Sequence, residues 1–288
     1  MRSGTGPEGQ SDQFSLAVCA EMVFLDLPFI DRVKHLAREG FLVEIWDWTR
    51  HDLKRLAASG AVFSSMTGYV SGTLADDAGA HEMLRTAELS IWAAKDLGVP
   101  RLNLHGTGLG PEGLPVKPCV KGADGAMWMK ARDTLSRLAD LGEKHDVMFV
   151  LENLNAAVDH PDVPFGRAED CLSLVQAVDH PSLRLMLDLY HAQIGEGNLI
   201  ALLERAMPFI GEIQVADVPG RCQPGTGEIN YPAIARALRR LGYRGVIGLE
   251  SWAEAGDSDR ALRDFAKAFA AYPVMVRGVS WPDRSGML

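Results

Sequence analysis

Residues 125–152 read GAMWMKARDTLSRLADLGEKHDVMFVLE. The first part, 125–145, spaces its apolar residues as an amphipathic helix does, and 148–152 is an apolar run that ends on Glu152. Strands that are apolar on both faces and alternate with amphipathic helices are typical of a parallel sheet covered by helices. This helix-then-strand unit therefore indicates an α/β protein.

The same alternation runs through the chain from Phe14 onward. Several helical patterns end at a glycine, such as Gly98 or Gly242, directly before the next strand. Eight strand-then-helix units predict a parallel sheet closed into a (β/α)₈ TIM barrel, as a single domain. The predicted strands are 14–19, 42–46, 61–66, 101–105, 148–152, 183–188, 210–215 and 245–249. The clearest predicted helices are 80–97, 125–145, 167–178 and 231–241.

A doubly wound open sheet is the competing fold, and it is disfavoured because no glycine-rich phosphate loop follows the first strand. Since neither a Rossmann nor a P-loop signature appears, we expect no nucleotide cofactor. Residues 1–13 are rich in Gly, Ser and charge and are predicted to be a flexible N-terminal tail. The barrel with a C-terminal extension then occupies residues 14–288.

Composition narrows the class of partner. The 288 residues are 47% hydrophobic and 23% charged, as in globular proteins, and 29 basic against 38 acidic residues give a net charge of −9. This balance disfavours nucleic acid and anionic membranes, and no apolar run reaches the length of a membrane span. The four cysteines form no CxxC pair, which favours reduced thiols and a cytoplasmic location. A small-molecule substrate fits this composition, and the sequence leaves open whether copies form a homo-oligomer.

Four successive strands end on or near a polar side chain: Glu152, Asp188, Gln214 and Glu250. A single carboxylate at such a place is usually a helix cap or a surface charge, but four in succession are unlikely to arise by chance. Barrel closure would bring them together, and three carboxylates repel one another unless a cation neutralises them. Because all the ligand atoms would be oxygens, the pattern predicts Mn²⁺ or Mg²⁺. Two long loops, 106–124 and 216–230, follow strands on the same face and are predicted to be lids or substrate clamps.

The segment 214–231, QVADVPGRCQPGTGEINY, resembles the signature loop of hydroxypyruvate isomerases, which belong to the sugar isomerase/epimerase group of TIM barrels. The segments 188–191, 248–250 and 150–155 also match motifs of that group. The resemblance spans residues 14 to about 272 and is stronger in the second half. It implies a metal site at Glu152, Asp188, Gln214 and Glu250, with Glu152 and Glu250 also exchanging a proton with the substrate.

The resemblance further implies that His191 and Arg221 hold substrate oxygens, and Asn155, in the matched fifth-strand motif, is a predicted substrate contact. His105, which ends the fourth strand, has no counterpart that we can assign; it is predicted to be either a substrate contact or a hydrogen-bonded rim residue. Ketose 3-epimerases carry His in place of Gln214, which makes that activity the less favoured one.

The residue types suit this chemistry independently. Moving a carbonyl along a carbon chain needs a base beside the carbonyl and a cation that stabilises the enediolate, and two glutamates can act as base and acid. The planar guanidinium of Arg221 suits a substrate carboxylate. The sequence thus predicts an isomerase of a small hydroxy-carbonyl acid, of the hydroxypyruvate or 2-oxo-tetronate type. A decarboxylase of a 3-oxo sugar acid passes through the same enediolate and is the alternative.

Two further classes are disfavoured. A DNA-repair endonuclease on this barrel would need a multinuclear site and basic loops, and a binding protein would leave the two opposed glutamates unexplained.

The amino-terminal half departs from the family. Relatives usually carry His in the loop after the third strand, where this chain reads SMTGY at 65–69. Trp46 and Trp48 are predicted either to wall the pocket or to pack beneath a loop, and Glu44 is predicted to make a supporting hydrogen bond.

Other aromatic residues and histidines are predicted to lie away from the site. Trp92 and Trp128 are predicted in the core. The remaining histidines are predicted on helices or surface loops: His35, His51, His81, His145, His160 and His180.

Overall fold

The computed structural model describes residues 14–110 and 113–270, and its strands close into one parallel barrel. The strands are β1 Ser15–Cys19, β2 Leu42–Ile45, β3 Phe63–Thr67, β4 Arg101–Leu104, β5 Met148–Glu152, β6 Leu183–Asp188, β7 Ile210–Val215 and β8 Val246–Leu249. Each strand pairs with its neighbours in sequence, and β1 pairs with β8 to complete the ring. The predicted TIM barrel is confirmed.

Helices follow the strands along the described part of the chain. They are α1 Phe29–Arg38, α2 Leu53–Ala57, α3 Asp77–Leu97, α4 Gly125–His145, α5 Ala168–Val178, α6 Leu189–Gly195, α7 Leu199–Ala206, α8 Tyr231–Arg240 and α9 Ser258–Phe269. The Asp124 carboxylate accepts a hydrogen bond from the Met127 N–H at 2.9 Å and so fixes the start of α4. Gly98 ends α3 at φ 71°, a left-handed conformation that glycine adopts without a Cβ penalty.

The core lies between the barrel and its ring of helices. Each long helix contributes side chains that are fully buried against the strands, and burial of each stabilises the fold by about 1.5–3 kcal/mol. Examples are Ile91, Leu135, Val175, Leu203, Leu238 and Phe265. Within the residues described, no helix is both long and apolar enough to cross a membrane.

One predicted core residue is not in the core. The Trp92 side chain is 60% exposed on the outer face of α3, where Lys95 lies 5.1 Å from its ring. Helical periodicity identified the helix but set this tryptophan on the wrong face, whereas Trp128 is half-buried and packs on Phe165. The predicted tail, 1–13, and the predicted extension beyond residue 270 lie outside the described residues.

Candidate active site

Strand register brings the predicted cluster residues to one end of the barrel. Glu152 ends β5, Asp188 ends β6, and Glu250 directly follows β8. In the ladder, Asp188 pairs with Gln214, and Gln214 pairs with Gly248 two residues before Glu250. All four side chains thus belong to the carboxyl-terminal face of the barrel, where TIM-barrel enzymes hold their catalytic groups.

Three of the predicted residues form a compact acidic cluster with a histidine. Glu152, Asp188, Glu250 and His191 each offer one ligand atom, and these atoms lie within 4.8 Å of one another. Asp188 also caps α6, since one of its oxygens accepts from the His191 N–H at 2.8 Å. The capping role therefore uses one carboxylate oxygen and leaves the other for the cluster.

Gln214 lies beside this cluster and is oriented by Glu44. Its Nε2 donates to Glu44 Oε2 at 3.0 Å, the supporting hydrogen bond expected of Glu44. Its Oε1 is buried and has no hydrogen-bond partner among the described residues. Gln214, Glu44 and Glu250 line a cavity of about 20 Å³, which is large enough for one ion or water. An unsatisfied buried oxygen next to three carboxylates fits a hard cation.

Burial sets the electrostatics of the cluster. Removal from solvent, and then the charge of Glu250, raise the pKa of Glu152 to about 8. Burial, followed by the charges of Glu152 and Glu250, also raises the pKa of Asp188. Carboxylates held this way bind a proton or a cation in preference to remaining charged and unpaired.

Arg221 supplies positive charge at the edge of the cluster. Its Nη2 donates to Glu250 Oε2 at 2.7 Å, and its guanidinium lies 5.3 Å from the centre of the Tyr190 ring. The backbone of Arg221 is left-handed, at φ 53°, which is uncommon for a residue with a side chain.

Buried Asp217, which was not predicted as a site residue, organises this loop by accepting three backbone hydrogen bonds. Its donors are Val218 N, Gly225 N and Ile229 N, at 3.0, 2.8 and 2.9 Å.

Asn155 determines which nitrogen of His191 carries the proton. The Asn155 Oδ1 accepts from the N–H groups of Val158 and Asp159, so its orientation is fixed, and Nδ2 then donates to His191 Nδ1 at 2.7 Å. Burial, followed by the charge of Arg221, lowers the pKa of His191, and the ring is neutral. A neutral ring that accepts at Nδ1 carries its proton on Nε2. This buried N–H, 3.9 Å from Asp188 Oδ2, has no partner within the described residues.

His105 lies against Glu152. Its Nε2 is 3.0 Å from Glu152 Oε2, and its Nδ1 is 2.8 Å from the hydroxyl oxygen of Tyr69. Asn103 Nδ2 donates to the same Glu152 oxygen. Burial lowers the pKa of His105 to about 4 and makes the ring neutral at pH 7. Protein groups therefore engage both ring nitrogens, and a direct contact of His105 with substrate stays a prediction.

The surface assignment of His160 was wrong. Its side chain is buried, and its ring packs edge-on against His191 with centroids 5.1 Å apart. Nδ1 donates to the Gly113 carbonyl at 2.6 Å and ties the loop after β4 to the loop after β5. Sequence periodicity carried no signal for this burial, because it arises from the contact of two irregular loops.

The two tryptophans after β2 have different roles. Trp46 Nε1 donates to Glu250 Oε1 at 2.5 Å, so Trp46 is part of the wall of the site. Trp48 instead donates to Ser90 at 3.1 Å and packs against the core beneath its loop. Trp252, which the sequence reasoning did not single out, lies edge-on to Trp46 at 6.5 Å.

A larger cleft of about 420 Å³ lies between α4 and α5, away from the cluster. Its lining carries no carboxylate, histidine or thiol, and we assign it no chemistry. The lining residues are Trp128, Met129, Arg132, Ser173, Leu174 and Ala177.

Comparison with known proteins agrees with this geometry. The sequence profile described as Xylose isomerase-like TIM barrel matches residues 36–271. A 2-oxo-tetronate isomerase of Pectobacterium atrosepticum is 31% identical over 80% of this chain and 88% of its own. A Danio rerio protein provisionally named hydroxypyruvate isomerase is 30% identical over 82% and 89% of the two chains. The match to a human protein with the same provisional name is 32% identical but spans only 57% of each chain.

Solved structures show the same fold. An AP endonuclease of family 2 from Brucella melitensis superposes with a TM-score of 0.78 at 25% identity, over 88% of this chain and 99% of that one. A 3-keto-D-glucoside 4-epimerase from E. coli gives a TM-score of 0.71 at 20% identity, over 89% and 99%.

The closed barrel and the acidic residues at its carboxyl-terminal face define a TIM-barrel enzyme. The chain belongs to the xylose isomerase-like TIM-barrel family, and the resemblance to the hydroxypyruvate isomerase group is confirmed. Because the relatives are named isomerases, the predicted enzyme class is confirmed at that level.

Proposed function

We propose that this protein is a metal-dependent isomerase of a small hydroxy-oxo acid, of the hydroxypyruvate or 2-oxo-tetronate type. The observation that carries the proposal is the cluster of buried Glu152 and Asp188 with half-buried Glu250, and with Arg221 at its edge. The names of the relatives support the same substrate class.

Glu152, Asp188, Gln214 and Glu250 would hold the ion, Mn²⁺ or Mg²⁺. Oxygen-only ligands favour these hard cations. His191 belongs on the substrate side, because its cluster-facing nitrogen carries a proton and a metal ligand needs a free lone pair. Once bound, the cation would neutralise the cluster and withdraw electron density from the substrate's carbonyl and hydroxyl oxygens.

Glu152 and Glu250 exchange the proton. One glutamate removes the proton from the hydroxyl-bearing carbon next to the carbonyl. The electron pair of the broken C–H bond forms the C=C bond of an enediolate, and the carbonyl oxygen takes up the negative charge. The other glutamate, or the same one, then delivers a proton to the former carbonyl carbon. The hydroxyl proton moves to the other oxygen, so the carbonyl has shifted by one carbon and atoms balance. Hydrogen bonds from Trp46 and Arg221 hold Glu250 in place for this exchange.

The neighbouring groups fix the substrate. The guanidinium of Arg221 suits the substrate carboxylate, and the buried Nε2–H of His191 suits a substrate oxygen that gains charge. Asn155 has all its bonding groups engaged by protein, which supports a role through His191. His105 likewise would influence the substrate through its contact with Glu152.

Metal removal tests this proposal. Dialysis against a chelator should abolish isomerisation of hydroxypyruvate and 2-oxo-tetronate, and Mn²⁺ or Mg²⁺ should restore it. Full activity of the metal-free protein would contradict the metal site. Release of carbon dioxide would instead favour the decarboxylase, and epimerisation of a free ketose would favour the less expected 3-epimerase.

The thiols support a cytoplasmic location. All four cysteines are free, as is usual in a reducing compartment.

A further inference from the structure

Tyr69 lies where this chain departs from its relatives, directly after β3. Its ring is buried, and its hydroxyl oxygen is 2.8 Å from His105 Nδ1 and 3.1 Å from the Thr107 carbonyl oxygen. No step in the proposed reaction uses this phenol. One residue, His105, separates Tyr69 from Glu152 in a chain of contacts, which suggests that Tyr69 acts through His105.

The chain of contacts has a direction. A neutral imidazole has one N–H donor and one acceptor nitrogen. Since His105 Nε2 faces the Glu152 carboxylate at 3.0 Å, an ionised Glu152 requires the proton on Nε2, and Nδ1 must then accept. The Tyr69 hydroxyl is the donor within reach of Nδ1. In the reverse arrangement, His105 Nδ1 donates to the Tyr69 hydroxyl, and Tyr69 donates to the Thr107 carbonyl. The Nε2 lone pair of His105 would then face the Glu152 carboxylate, which is unfavourable.

We propose that Tyr69 and His105 are positioning residues for Glu152: the phenol donates to Nδ1, holds His105 with its proton on Nε2, and thereby fixes Glu152 Oε2. Asn103 donates to the same oxygen, so Oε1 is left to serve the ion and the substrate. This inference rests on the proposed function, because it assumes that Glu152 carries the proton.

A first test reads the proton directly. Protein labelled with ¹⁵N-histidine is measured by NMR with saturating Mg²⁺, so that His105 is read beside Glu152 in its carboxylate form. The His105 signal is assigned from its loss in His105→Gln. We expect the Nε2–H form in the wild type and a weaker preference for that form in Tyr69→Phe, because Nδ1 then loses its donor while Nε2 still faces Glu152. An Nδ1–H form in the wild type, or an unchanged preference in Tyr69→Phe, would overturn the inference.

A second test is a double-mutant cycle. In the His105→Gln variant the side-chain amide can donate an N–H to Glu152, and it needs no partner to fix its protonation. Tyr69→Phe should lower kcat about tenfold in the wild type, the effect of losing one hydrogen bond, with KM and metal content unchanged. In the His105→Gln background the same substitution should cause no further loss. An equal loss in both backgrounds would show that the phenol only supports the fold.

Tyr243→Phe is the matched control. Tyr243 is also buried, and its hydroxyl donates to the Val246 carbonyl at 2.7 Å, ahead of β8 at the opposite end of the barrel. It should lower stability as Tyr69→Phe does, yet leave kcat unchanged. If the wild type isomerises none of the oxo acids, the proposed function fails, while the NMR measurement still decides the role of Tyr69.

Discussion

Glu152 takes its chemistry from where the fold places it. Its side chain is 3% exposed, and one oxygen receives hydrogen bonds from Asn103 and His105. In water this carboxyl would be a weak base, but burial beside Glu250 raises its pKa to about 8. A cation bound nearby would counter that rise, so the local charge decides whether Glu152 can accept a proton.

Replacing either glutamate of the pair tests its role. Glu152→Gln and Glu250→Gln keep the shape and remove the base, and each should lower kcat about a hundredfold or more. The control is Glu88→Gln, on the exposed face of α3, which should not change kcat. Metal content must be measured on each variant, because both glutamates are also proposed ligands. A fully metallated variant with near-normal turnover would remove that glutamate from the mechanism.

Single residues differed in how well the sequence predicted them. Glu152, Asp188 and Glu250 could be found because each ends or follows an apolar strand, and strand ends of one barrel converge. His160 and Tyr69 could not, since each lies in a loop whose burial depends on a second, distant segment. His160 depends on Gly113 and Tyr69 on His105, and no short-range pattern records such pairs.

Among the strands, β8 passes so close to the site that one of its positions has no room for a side chain. A Cβ added at Gly248 would overlap the carboxyl oxygens of Glu44 and the amide oxygen of Gln214. We therefore expect Gly248→Ala to displace Gln214 and to weaken Mn²⁺ binding about tenfold or more, measured by calorimetry. Gly125→Ala is the control, because a Cβ at that position of α4 meets open space. Unchanged Mn²⁺ affinity in Gly248→Ala would argue against Gln214 as a ligand.

The strands were predicted more closely than the irregular segments between them. Predicted strands 148–152, 183–188 and 210–215 match β5, β6 and β7 residue for residue, because buried strands of a parallel barrel read as short, mostly apolar runs. The loop 216–230 was correctly expected on the carboxyl-terminal face of the barrel, but the hydrogen bonds that fix its conformation were not predicted. That order comes from one buried carboxylate, Asp217, which gathers backbone N–H groups from three positions.

For the whole molecule, the stabilisation that a bound metal provides should depend on pH. The folded-state pKa of Glu152 is raised from 4.5 to about 8, so the folded protein binds more protons than the unfolded chain between these values. Stability of the metal-free protein should therefore fall as pH rises from about 6.5 to 8, above the range in which the lowered pKa of His105 acts in the opposite direction. Mn²⁺ competes with those protons, and its stabilisation should grow over the same range.

Thermal unfolding measures this directly. The increase in Tm on adding Mn²⁺ should be larger at pH 8 than at pH 5. An increase that is equal at both values, or a metal-free Tm that rises between pH 6.5 and 8, would contradict the coupling between the carboxylates of the cluster and the ion.

The most direct test of the account is turnover of hydroxypyruvate, and in parallel of 2-oxo-tetronate, by the Mg²⁺-loaded protein in D₂O, followed by NMR. A metal-dependent isomerase should give the isomer whose carbonyl has moved to the neighbouring carbon, with deuterium on the carbon that received the proton and no carbon dioxide. Incorporation can be partial, since one glutamate can return the proton it removed. Stoichiometric carbon dioxide with deuterium at the former carboxylate position, or no reaction with either acid, would contradict it.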